Sequence, residues 1–200
     1  CALEAIPRYV STHPYQNLPF QASIHRADAD GNISNFMYLH NRDSNPSYMM
    51  AKFLSKTIKS KGSVLTFHSS FEKKVLEDLA FAFPEFKDSL NSIINRLVDL
   101  ETIFEKGWYV DSGFNGSSSL KKVLPVLVPS LSYEELAINN GSLAFVKYLE
   151  MIDSQTSTDG AAEIYSQLTK YCELDTYSLV MIKNVLINLI NESEVRNEAK

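Results

Sequence analysis

The stretch GAAEIYSQLTKYCELDTYSLVMIKNVLINLI, residues 160–190, decides how this chain is read. Ile164, Leu168, Tyr171, Leu179, Ile182, Leu186 and Leu189 recur at helical spacing, which predicts a helix of several turns with one apolar stripe facing a core. Asp175 stands on that stripe where an aliphatic side chain is expected, and Tyr171 lies one turn earlier on the same face. A carboxylate aimed at a core needs a partner, because an isolated buried charge is costly. A divalent metal, an Arg, a Lys or a helix N-terminus would each serve. A Tyr and an Asp four apart recur by chance in a chain with ten tyrosines, so the rest of the sequence has to give the pair its meaning.

Working outward, the 200 residues suffice for one domain with a full core, residues 1–190, followed by a polar, frayed tail at 191–200. Hydrophobic content of 44% and charged content of 22% describe a soluble globular chain. A net charge of −5 speaks against general coating of nucleic acid, while leaving room for a local basic patch. Two cysteines, Cys1 and Cys172, form no disulfide framework, and no run approaches a membrane span, so a cytoplasmic location is expected. The chain opens on CALEAIPRY without an initiator Met, which suggests a piece of a longer protein.

Residues 6–19, with three prolines and two tyrosines, read as an irregular lead-in. Residues 18–40 read as a β-hairpin around DADGN, followed by a helix opened by Asn45-Pro46 and ended before Gly62. SVLTF, 63–67, is expected as a buried strand that runs straight into the helix HSSFEKKVLEDLAFAF, with Ser69 or Ser70 as N-cap. A strand feeding a helix is an α/β signature whose ligand end is the strand's C-terminus, and Glu72 lies there. A further helix leads to a short strand near 98–100, and a Gly- and Ser-rich loop spans 107–119. Two short helices follow, the first ended by Pro125 or Pro129 and the second opening after Asn139 and Asn140.

At this point FHSSFEKKVLEDLA resembles the second motif of the DnaQ-like 3′–5′ exonucleases, and YCELD at 171–175 resembles their third motif in its tyrosine form. Together with IPRY, THPYQNLPFQASIH, RLVDL and SLKKVLPVLVP, these stretches are similar to an uncharacterised bacterial domain family of that superfamily, often fused to other nuclease-like domains. The resemblance runs over residues 6–188 and implies a ribonuclease H-like α/β fold, a mixed sheet flanked by helices. It also implies phosphodiester hydrolysis with two Mg²⁺ or Mn²⁺ ions, which prefer carboxylate oxygens. Carried over by position, Glu72 and Asp175 are metal ligands, and Tyr171 positions the attacking water. Glu72 stands where Asp is usual, and His68 where Asn is common.

The first motif of the superfamily, an Asp-x-Glu on the first strand, is absent from this chain, so that strand and its two acids are expected upstream of Cys1 and the site is incomplete as written. The competing expectation is a noncatalytic nucleic-acid-binding or scaffold module with a degenerate site; a small-molecule phosphoesterase is a third. The expected partner is a nucleic acid, a single-stranded 3′ end, with His68, Phe71, Lys73, Lys121 and Lys122 as candidate contacts. Trp108, Tyr109 and Phe114 read either as base-stacking groups or as core, and Asp99 either as a neighbour of the metal site or as a helix cap. His13, His25 and His40 show no metal-ligand spacing.

Overall fold

The computed structural model describes residues 1–10, 12–28 and 30–198, and the fold is mixed α/β. An irregular lead-in reaches the hairpin of β1, Gln21–Ala27, and β2, Ile33–Leu39, in the register Gln21↔Leu39 to Ala27↔Ile33. The turn between them is held by Asp28, whose carboxylate accepts from the backbone N–H groups of Asp30 and Asn32, with Gly31 at φ 84. Helix α1, Ser47–Thr57, leads to β3, Val64–Thr66, and α2, Ser69–Ala82. After α3, Lys87–Ile94, the strand β4, Leu97–Asp99, returns parallel to β3. Helices α4, Glu101–Glu105, α5, Leu120–Leu127, and α6, Gly141–Ile152, precede α7, Thr158–Glu198.

Several boundaries differ from the sequence reading for identifiable reasons. Pro46 sits just before α1, and the Asn45 side chain accepts the Ser47 N–H at 3.0 Å. Pro125 lies inside α5, and the helix stops only before Val128 and Pro129. Neither Ser69 nor Ser70 caps α2: the N-cap position is His68, in left-handed conformation at φ 69, and the cap comes from another strand, as shown below. Asn140 caps α6 by accepting the Leu143 N–H at 2.9 Å. Helix α7 runs on through residues 191–198, where a frayed tail is expected, and residues 199–200 of that tail lie outside the described residues.

The stripe on α7 is buried as its spacing requires: Ile164, Leu168, Tyr171, Leu179 and Ile182 are all 9% exposed or less. Leu189, at 38%, falls beyond the body that the helix covers. Under α7 lies one apolar cluster containing Phe20, Val123, Leu124, Tyr148 and Leu168, with the Phe20 and Tyr148 rings stacked at 4.0 Å. A second cluster, from Met50, Leu76, Leu79, Leu90 and Ile93, joins α1, α2 and α3. The two strand pairs do not meet. Among the described residues β1 pairs with β2 and β3 with β4, leaving two separate two-stranded sheets. For that reason β3 is only half-buried at Val64 and Leu65, where a fully buried central strand is expected.

Candidate functional site

Between the two sheets lies a cavity of about 1270 Å³, lined along its length by residues 21–27 of β1 and 64–66 of β3. That exceeds the roughly 300–1,000 Å³ of a small-molecule cleft, so the space suits an extended chain better than a metabolite. Members of both apolar clusters, Phe20 and Met50 among them, line it, so the cavity divides the core.

Glu72, Tyr171 and Asp175 all line this cavity, although about a hundred residues of chain separate the first from the other two. Glu72 is delivered by the first turn of α2, at the C-terminal end of β3. Its Oε2 is buried and has no hydrogen-bond partner among the described residues. Burial pushes its carboxyl up to about 7, with the charges of Asp99 and Asp175 adding to the effect. Burial likewise pushes Asp175 up to about 6, against the hydrogen bond from Tyr133 and the charge of Lys121, which pull it down. For two largely buried acids on one cavity, one with an orphaned oxygen, ionising together is costly unless positive charge lies nearby. Burial, then the Asp175 charge, drives the Tyr171 phenol above its ordinary range. It therefore keeps its proton at neutral pH and can orient a water by hydrogen bonding rather than act as a base.

The turn of α7 that carries these groups is fixed by polar contacts that the sequence did not suggest. Thr176 donates to Ser23 of β1 at 2.8 Å, and the His25 Nδ1 lies 2.8 Å from the same hydroxyl. Asn35 of β2 bridges the His25 Nε2 at 3.0 Å and the Glu173 carboxylate at 3.0 Å. These bonds set which face of α7 turns to the cavity. The other partner missed from the sequence is Tyr133, whose hydroxyl donates to Oδ1 of Asp175 at 2.8 Å across 42 residues. Nothing in its local spacing distinguishes it from the other tyrosines.

His68 and Phe71 line the cavity at the opening of α2, with Phe71 exposed. The His68 Nδ1 pairs with Glu101 at 2.9 Å, and the Glu101 carboxylate also accepts from Ser118 at 2.8 Å. That contact raises the His68 imidazole above its ordinary value. Lys121 lines the cavity too, its Nζ donating to the Asn139 carbonyl at 2.6 Å. Lys73 and Lys122 are not among the cavity's lining: Lys73 points outward beside Glu77 at 3.9 Å, and Lys122 is exposed. The remaining basic residues on the lining include Lys59, Lys61 and Arg96, which flank the opposite end of β3. The guanidinium of Arg96 is already engaged by the carbonyls of Lys59, Gly62 and Ser92.

Asp99 takes the capping role. Its carboxylate accepts the backbone N–H groups of His68 at 2.9 Å, Ser69 at 2.7 Å and Glu101 at 3.0 Å, so one side chain at the end of β4 caps both α2 and α4. Burial works against its ionisation, yet these donors hold its carboxyl below the usual range. Asp99→Ala is expected to destabilise the fold by about 2 kcal/mol, read as a lower urea midpoint with an unchanged slope. A change within experimental error would remove Asp99 as the anchor of α2. The loop aromatics divide: Phe114 is buried against Phe104 at 5.6 Å and Tyr109 packs there, while Trp108 is 70% exposed with Lys106 over its ring.

Glu72 and Asp175 suit a divalent cation, whose hard charge would satisfy the orphaned Oε2 and allow both acids to ionise. Among the described residues no group of three or more His, Cys, Asp or Glu is placed to hold a metal ion. Both cysteines are free, and burial pushes the Cys172 thiol up to about 12.

No helix among the described residues is long and apolar enough to cross a membrane. No solved structure matches this chain. It is 28% identical over 144 residues to an uncharacterised protein, MG366, of Mycoplasma genitalium. That match covers 66% of the chain but only 22% of the relative's length. Residues 1–119 match the family model described as "Domain of unknown function (DUF2779)", and the chain belongs to that family.

Proposed function

We propose that this domain is the larger part of a DnaQ-like, ribonuclease H-like 3′–5′ exonuclease that hydrolyses nucleic acid with Mg²⁺ or Mn²⁺. The observation that carries the reading is that Glu72, with its partnerless Oε2, lines one cavity together with Asp175 and Tyr171. A divalent ion bound there would polarise a phosphodiester oxygen and supply a hydroxide at neutral pH. The chain's own residues do the rest: Glu72 and Asp175 hold charge, protonated Tyr171 orients the nucleophile, and Lys121 and His68 meet the phosphates at the rim.

The reading also assigns the space between the sheets to a strand from sequence upstream of Cys1, bearing the two further acids. Ala2 and Leu18 form an isolated antiparallel bridge, with N–H to carbonyl distances of 2.7 and 2.9 Å. Continued in that register, the ladder would set the residue before Cys1 opposite Phe20 and the next seven opposite Gln21–Ala27. It would join β1 to β3 as one mixed sheet. Cys1 itself lines the cavity. An acid just upstream would therefore enter the cavity that Glu72 also lines.

The test is degradation of 3′- and 5′-end-labelled single-stranded oligonucleotides by the full-length protein with Mn²⁺. Stepwise loss from the 3′ end supports the reading, and a folded full-length protein that leaves both substrates intact overturns it. That no group of three or more His, Cys, Asp or Glu among the described residues is placed to hold a metal favours, as the second reading, a noncatalytic nucleic-acid-binding or scaffold module. Metal-independent oligonucleotide binding without cleavage would select that alternative.

A further inference from the structure

We propose that Tyr133 is a positioning residue for Asp175, holding one carboxylate oxygen so that the other is presented to a divalent cation in the cavity. The inference rests on the reading of Asp175 as a cation ligand. Tyr133 lines the cavity yet is only 7% exposed, and its hydroxyl donates to Oδ1 of Asp175 at 2.8 Å. A phenol has one proton to donate, so this bond fixes the direction of its hydroxyl and commits Oδ1.

Two further contacts fix the ring. It meets Tyr171 edge-on, with centroids 6.2 Å apart at 60°. The ammonium of Lys121 sits 5.6 Å above it, and that ammonium is itself tied to the Asn139 carbonyl. Tyr133 thus touches Asp175, the proposed water-positioning Tyr171 and the proposed phosphate-contacting Lys121 at once. It reaches them from the segment between α5 and α6, outside the helix that carries Tyr171 and Asp175.

The geometry has a chemical consequence. A carboxylate free to rotate about its Cβ–Cγ bond can offer either oxygen or both to an ion, whereas one held at Oδ1 offers a single oriented oxygen. Outer partners of this kind commonly change metal affinity by about 10–100-fold. Tyr133→Phe keeps the ring, its contact with Tyr171 and its place under Lys121, and removes only the donor.

The experiment compares the full-length wild-type protein with Tyr133→Phe, Tyr133→His and Asp175→Asn. Bound Mn²⁺ is followed by loss of the free-ion electron paramagnetic resonance signal, and oligonucleotide affinity is measured in EDTA. Wild-type protein is expected to bind Mn²⁺ through Asp175, and Tyr133→Phe to weaken that binding about ten-fold with unchanged oligonucleotide affinity. Tyr133→His, which keeps a ring N–H, is expected to recover part of the loss and carries the test if the Phe variant does not fold. If Asp175→Asn binds Mn²⁺ like wild type, the metal-site reading itself fails. If Asp175→Asn loses the ion while Tyr133→Phe retains wild-type affinity, or if metal and oligonucleotide affinities fall together, the positioning role is wrong and the metal site stands.

Discussion

Asp175→Asn in the full-length protein is expected to lower Mn²⁺-dependent release of 3′-terminal nucleotides by at least about a hundred-fold. The change is nearly isosteric: an amide oxygen can still accept from Tyr133, and the stripe around it, Leu168, Tyr171, Leu179 and Ile182, is untouched. What disappears is the negative charge that would hold a cation opposite Glu72. Because Asn removes a charge that burial makes costly, the metal-free variant is expected to be at least as stable as wild type near neutral pH. Loss of cleavage with retained thermal stability therefore reports on the site, and loss of both would report on folding. A variant cleaving at wild-type rate would take Asp175 out of the chemistry altogether.

The second large effect concerns pH and metal together. Glu72 and Asp175 have carboxyls raised from the ordinary 4.5 and 3.8 to about 7 and about 6, chiefly by burial. For acids raised in the folded state, the stabilising contribution is complete below the unfolded values and is lost as pH climbs through the folded ones. The metal-free protein should therefore lose stability between about pH 4 and pH 7, by an amount on the order of 1–3 kcal/mol per group. For a domain of this size that corresponds to roughly 2–12 °C in melting temperature per group. Mn²⁺ should reverse the loss, raising the midpoint more at pH 7.5 than at pH 5.

His25 and His40, held below their ordinary values first by burial, act in the opposite sense over part of that range. The cleaner readout is thus the difference between wild type and Glu72→Gln across pH. A difference that grows as pH rises and collapses on adding Mn²⁺ is the expected result. A flat difference would mean that Glu72 is already ionised and compensated without metal.

The sequence by itself determined a good deal. Period 3.6 on residues 160–190 required a helix with one buried face, and it put Tyr171 and Asp175 on that face before any packing was known. The DADGN turn set the hairpin, and the strand-to-helix junction located Glu72 at a strand's C-terminal end. These are local properties, fixed by spacing within a dozen residues. Local spacing also misjudged what lay beyond its reach, as at α2, whose cap is supplied by Asp99 some thirty residues later instead of by Ser69 or Ser70.

Only the tertiary structure decided the rest, because each remaining feature joins residues far apart in the chain. Tyr133 reaches Asp175 across 42 residues, and Thr176 reaches Ser23 across 153. Neither bond leaves a trace in the pattern of either segment. The separation of the core into two clusters, with β1 and β3 facing each other unpaired across a cavity, is likewise a fact about pairing, and pairing depends on which strands are present to satisfy the edges. Lys73 and Lys122 show the same limit: charge beside a motif is visible in the sequence, but the direction of a side chain on a helix is set by what the opposite face buries.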